Sequence, residues 1–120
     1  MKVPLRALAH ARSGDEVDTS NVAVIAYDAD LFPLIRDQLT AASFKAYYAG
    51  VVRGEVERYE VARLGVLNFV ARGALGGGVS RSLCLDNYGK TLAARVLDFP
   101  IEVPERLANR LRGPGQHRDG

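Results

Sequence analysis

"NVAVIAY" (Asn21–Tyr27) runs straight into "DADLFPLIRDQLTAASFKAYYAG" (Asp28–Gly50), and at the junction the hydrophobic period changes. The first stretch is apolar on both alternating faces, the pattern of a central strand. In the second, Leu31, Leu34, Ile35 and Leu39 share one helical stripe, and Phe44, Tyr47, Tyr48 and Val51 share another. Asp28 or Asp30 is placed to cap the first helix, Pro33 fits a first turn, Thr40 can cap a second helix, and Gly50 supplies the stop. Two further strands follow, "VERYEVA" (Val56–Ala62) and "LGVLNFVAR" (Leu64–Arg72), joined closely enough for an antiparallel hairpin. A strand, a helical block and then more strands predict an α+β domain, with a mostly antiparallel sheet and helix packed on one face.

Outward from this centre the pattern weakens. Val3–Ala9 reads as an edge strand with Pro4 near its start. "GALGGGVSRS" (Gly73–Ser82) is too glycine-rich for a helix and reads as a loop. "SLCLDNYGKTLAARVLDFPIEV" (Ser82–Val103) reads as a short strand paired with a long one across Asn87–Lys90, with Leu97, Phe99, Ile101 and Val103 alternating. Residues 1–104 then form the domain. Residues 105–120 form a basic, partly disordered tail that has one amphipathic turn at Leu107 and Leu111 and solvated Arg106, Arg110, Arg112 and Arg118.

With 120 residues, 48% hydrophobic and 25% charged, the chain has enough apolar surface for one core that folds without disulfide or metal. Cys84 is the single cysteine, so no internal disulfide can form and a reducing, cytoplasmic setting is expected. Its alternation with Leu83 and Leu85 reads as an inert thiol. No run approaches the roughly 20 apolar residues of a membrane span. The net charge is +2 with acids and bases interleaved, which argues against a nucleic-acid surface. Asn68, inside "GVLNFVA", is expected to have its amide paired within the fold.

The chemistry concentrates in "HARSGDEVDTSN" (His10–Asn21), read as a polar loop between two apolar runs. His10, oriented by Asp15 or Asp18, is a candidate general acid/base, and Arg12 a candidate ligand for carboxylate or phosphate. Ser13, Gly14 and Asn21 add polar atoms and backbone around it. The competing reading is a loop braced by its own Asx and ST turns. No metal is expected, since the acids do not alternate as in an EF-hand and no His-Glu-x-x-His occurs. A second anion-binding candidate is "GGGVSRS", in which Gly77, Gly78, Ser80 and Arg81 could converge donors; the alternative is a tight bend.

"LAHARSGDEVDTSNVAVIAYD", "YYAGVVRGEVERYEV", "LGVLNFVARGALGGGVSRSLCLD" and "GKTLAARVLDFPIEVP" together span Leu8 to Pro104. Along them the chain resembles the small ferredoxin-fold domain of the acyclic terpene utilisation protein AtuA. The resemblance implies a ferredoxin-like fold and a context in bacterial breakdown of terpenoid and branched acyl-CoA compounds. It also implies a large AtuA-type subunit as partner. The family's loop usually reads Ser-Gly-Asp-Lys-Gly, whereas Glu16 and Val17 follow Asp15 here, a local charge change of two units. Three functions compete. One is an accessory or ligand-binding subunit that completes a site for a CoA thioester or other anionic small molecule. The second is a small hydro-lyase or isomerase acting alone on an acidic substrate, and the third a non-catalytic structural homo-oligomer. None of them requires a cofactor.

Overall fold

The computed structural model describes residues 1–16, 19–48, 54–72 and 92–112, with the backbone only at Asp15, Glu16, Thr19 and Arg72. Its strands are β1 (Lys2–Pro4), β2 (Ala9–Glu16), β3 (Thr19–Ala26), β4 (Val56–Val61), β5 (Val66–Arg72) and β6 (Pro100–Glu102). Two short helices, α1 (Phe32–Gln38) and α2 (Ala41–Tyr47), fill the connection between β3 and β4. The main sheet has the order β2-β3-β5-β4, and every neighbouring pair is antiparallel. β3 and β4 therefore run parallel with β5 between them, the split β-α-β unit of ferredoxin-like folds. β1 and β6 form a separate two-stranded ribbon.

Register assigns the faces. Val22 and Val24 of β3 stand opposite Phe69 and Leu67 of β5, and all four are at most 1% exposed. The helices cover this inner face: Phe44 of α2 stacks on Phe69, ring centroids 4.4 Å apart, and meets Tyr48 at 4.9 Å. Thr40 does cap α2, and reciprocally: Ser43 N–H donates to Thr40 Oγ1 at 3.0 Å while Thr40 N–H donates to Ser43 Oγ at 2.8 Å, a capping box. α1 differs from expectation. Its N-cap is Leu31 with no side-chain cap, and Asp28 instead accepts the N–H of Asp30. At the other end of α1, the Arg58 guanidinium reaches over from β4 and donates to the carbonyls of Leu39, at 2.9 Å, and Arg36. A cation there suits the carbonyl-rich end of a helix. Gly50 and Val51 lie outside the described residues.

Three expectations are corrected. The described residues of His10–Asn21 are not a loop: His10–Glu16 is β2 from His10 onward and Thr19–Asn21 is the start of β3, with pairs running from Ala9↔Ala26 to Glu16↔Thr19. An edge strand has to bury only its inward row, so pairing to an apolar neighbour overrides the poor strand propensity of "RSGDE". The expected long strand before Val103 is not there either. Residues 92–96 are helical, with Leu92 and Val96 fully buried on one helical face, and Tyr48 Oη donates to the Leu92 carbonyl. β6 pairs with β1, and Val3–Ala9 is not one edge strand: Val3 and Pro4 end β1, Leu5–Ala7 is a 3-10 turn, and Ala9 opens β2. Residues 73–91, including the "GALGGGVSRS" loop and Cys84, lie outside the described residues.

The β4–β5 hairpin closes through a 3-10 turn (Ala62–Leu64) and Gly65, whose φ of +67° is left-handed. A Cβ there has room, 3.7 Å from the Ala26 methyl, so the cost of adding one is in the backbone. Gly65→Ala is expected to lower unfolding free energy by about 1–2 kcal/mol in urea titration.

Candidate functional site

Strand alternation gathers the polar candidates on the sheet face turned away from the helices. Opposite residues share a face, so the outer face is tiled in rows. One reads His10, Ile25, Val66, Val61; the next Arg12, Ala23, Asn68, Tyr59; the third Gly14, Asn21, Val70, Glu57. His10, Arg12, Gly14 and Asn21, named from sequence, thus lie together. Ser13 and Asp15 occupy the alternate positions of β2, in register with Val22 and Ser20. Asp18, Gly77, Gly78, Ser80 and Arg81 lie outside the described residues.

The chemistry of the face follows from its smallest members. Ala23 separates Arg12 from Asn68, two strand spacings or about 10 Å apart, and leaves a low floor between them. Gly14 does the same for Asn21: a Cβ on Gly14 would stand 3.1 Å from Asn21 Oδ1. Arg12 is exposed and makes no hydrogen bond or ion pair among the described residues. Asn68 Oδ1 is buried and has no hydrogen-bond partner among the described residues, so the expected pairing of its amide is not made there at the carbonyl. An unpaired buried polar atom costs about 1–3 kcal/mol. Asn68→Leu is therefore expected to raise stability by about 1 kcal/mol in urea titration, and a loss of stability would show that the amide N–H carries a structural role.

The His10 ring stacks on Tyr27, centroids 5.6 Å apart, and the Arg112 guanidinium lies 3.9 Å over the Tyr27 ring. Nearby, Arg110 spans Asp28, at 3.0 Å, and Asp30. The start of the tail is therefore not a solvated end: Glu105–Arg110 is a 3-10 helix with Leu107 buried, and Arg112 N–H donates to the Ala7 carbonyl at 2.8 Å. Tyr27 and Arg112 escaped the sequence reading because residues so far apart in the chain meet only through the fold. Position 27, one alternation beyond Ile25, was the available clue.

Asp28 is held below its ordinary pKa of 3.8, first by the N–H of Asp30 and then by the charge of Arg110. A carboxyl whose folded pKa is depressed contributes stability above the unfolded value and loses it as pH falls through the folded value. Below about pH 4 the melting temperature is expected to fall less for Asp28→Asn than for wild type, and equal falls would contradict this.

Elsewhere, a wide-open groove of about 410 Å³ lies between α2 and β4, lined by Ala41, Ala42, Lys45, Glu55, Val56 and Glu57. No residue read from sequence as functional lines it. Among the described residues no group of three or more His, Cys, Asp or Glu side chains is placed to hold a metal ion, and no helix is long and apolar enough to cross a membrane.

Neither a curated protein nor a solved structure matches the chain. The AtuA ferredoxin-like domain does match, over residues 3–102, from β1 through β6. That match covers the hairpin carrying His10 and Arg12, the helical block and all of the main sheet, and by it the chain belongs to the AtuA ferredoxin-like domain family.

Proposed function

We propose that this domain is the accessory, ligand-binding part of an AtuA-type protein, working in bacterial breakdown of terpenoid or branched acyl-CoA compounds through the outer face of its sheet. One observation carries the reading. On that face the described residues give the Arg12 cation no counter-ion and the Asn68 Oδ1 amide oxygen no donor, across a floor of Ala23 and Gly14. Arg12 supplies a partner for a carboxylate or phosphate, Asn21 can donate and accept, and the flanking Ile25, Val66 and Val70 offer apolar contact. Such a face suits a large subunit that brings the acidic ligand with it.

The test is co-purification of the full chain from its native cell, followed by assay against CoA thioesters with and without the recovered partner. Recovery of a large AtuA-type subunit, with turnover only in its presence, is the expected result. Turnover by the isolated chain would favour instead a small hydro-lyase or isomerase that uses His10 with Asp15 or Asp18.

A further inference from the structure

Resting on the reading of the outer face as a site for an acidic ligand, we propose that Arg112 is its second anion-binding residue. A strap, residues 103–112, sets it there to take one oxyanion, phosphate or carboxylate, of a ligand whose other oxyanion is held by Arg12. The strap begins beyond residues 3–102, the stretch matched to the family, yet it is built into the fold. Val103 N–H donates to the Met1 carbonyl at 2.7 Å, Leu107 is buried, Leu111 packs against the core, and Arg112 N–H donates to the Ala7 carbonyl at 2.8 Å. That last bond brings residue 112 to the end of the β2–β3 ladder, where Tyr27 N–H donates to the Leu8 carbonyl at 2.9 Å.

His10 lies on the outer face, so the Tyr27 ring stacked on it stands at the border of that face, and the Arg112 guanidinium is 3.9 Å over the same ring. The two strap arginines differ in what they meet. Arg110 is neutralised by Asp28 and Asp30, whereas Arg112 makes no ion pair or side-chain hydrogen bond among the described residues. An aromatic ring attracts a cation but carries no net charge, so Arg112 is held in place without being neutralised. The imidazole of His10 likewise makes no hydrogen bond among the described residues. A strip therefore runs along the outer face from Arg12 to His10, two positions or about 7 Å away on β2, and on to Tyr27 and Arg112. Cations at its two ends suit two separated oxyanions. An arginine already ordered by a ring and a backbone anchor loses less freedom on binding.

Calorimetric titration of the full chain with coenzyme A, for phosphates, and with suberate, a flexible dicarboxylate, tests this. The probe that wild type binds identifies the oxyanion. Its dissociation constant is expected to rise about tenfold or more in Arg112→Gln and in Arg12→Gln, since each loses a charged hydrogen bond, and by less in Arg112→Lys, which keeps the charge without the fork. In wild type the NMR signals of the Tyr27 ring are expected to shift as the probe saturates. An unchanged affinity in Arg112→Gln, or a Tyr27 ring that does not respond, overturns the proposal; if Arg12→Gln still weakens binding, the outer-face reading stands without the strap. Wild type binding neither probe also overturns it.

Discussion

Phe69→Ala is expected to lower unfolding free energy by about 3–5 kcal/mol, the range for truncating a buried aromatic ring. Phe69 is 1% exposed, lies in β5 between Val22 of β3 and Arg58 of β4, and stacks on Phe44 with ring planes 6° from parallel. Phe44 in turn touches Tyr48, whose hydroxyl donates to the carbonyl of Leu92 in the 92–96 helix. Removing the ring opens a cavity where sheet and helices meet, and neighbours held on two sides can collapse into it only in part. Urea denaturation of wild type and variant measures the difference. A loss under about 1 kcal/mol would mean that the helices do not depend on this contact.

The parts of the fold that sequence made legible are those where burial acts on one face of an element. β3, the α1–α2 block and the β4–β5 hairpin have apolar periods that match their structure because each buries a complete row or stripe. β2 escaped because it sits at an edge: Ala9 is fully buried, but His10 and Arg12 to Gly14 are exposed, and such a stretch has the composition of a loop. The helix at 92–96 escaped for the opposite reason. Leu92 and Val96 lie within a run whose later residues, Leu97 to Val103, alternate as a strand does, and five helical residues are too few to show their own period against that.

The candidate site was legible as a set of residue types but not as a surface. Polar density marked His10, Arg12, Gly14 and Asn21, yet their common face follows only from the β2–β3 register, which the loop reading did not contain. Asn68 drew notice as a polar residue in an apolar run. Its place in the Arg12 row required the β3–β5 register as well. If Asn68→Leu raises stability while weakening partner binding, the buried amide is kept for function at a cost to the fold.

Arg12→Ala is expected to weaken binding of the large AtuA-type subunit or its anionic ligand by about 1.5–3 kcal/mol, the range for a hydrogen bond to a charged group. Its effect on stability should stay within about 0.5 kcal/mol, because the side chain is exposed and makes no polar contact among the described residues. The loss should shrink as salt rises, since exposed charges are screened within about 10 Å at 0.1 M. Glu16→Lys, which reverses a charge in the same strand, should act in the opposite direction and strengthen anion binding at low salt.

The central claim is that the outer face is the working surface, and a calorimetric titration tests it most directly. The large subunit is titrated with wild type, with Arg12→Glu, and with Lys45→Glu, an exposed position on α2 on the other side of the sheet. The account predicts a loss of affinity of about tenfold or more for Arg12→Glu and an unchanged affinity for Lys45→Glu. Equal binding by wild type and Arg12→Glu, or a loss confined to Lys45→Glu, would contradict it and move the working surface to the helical side.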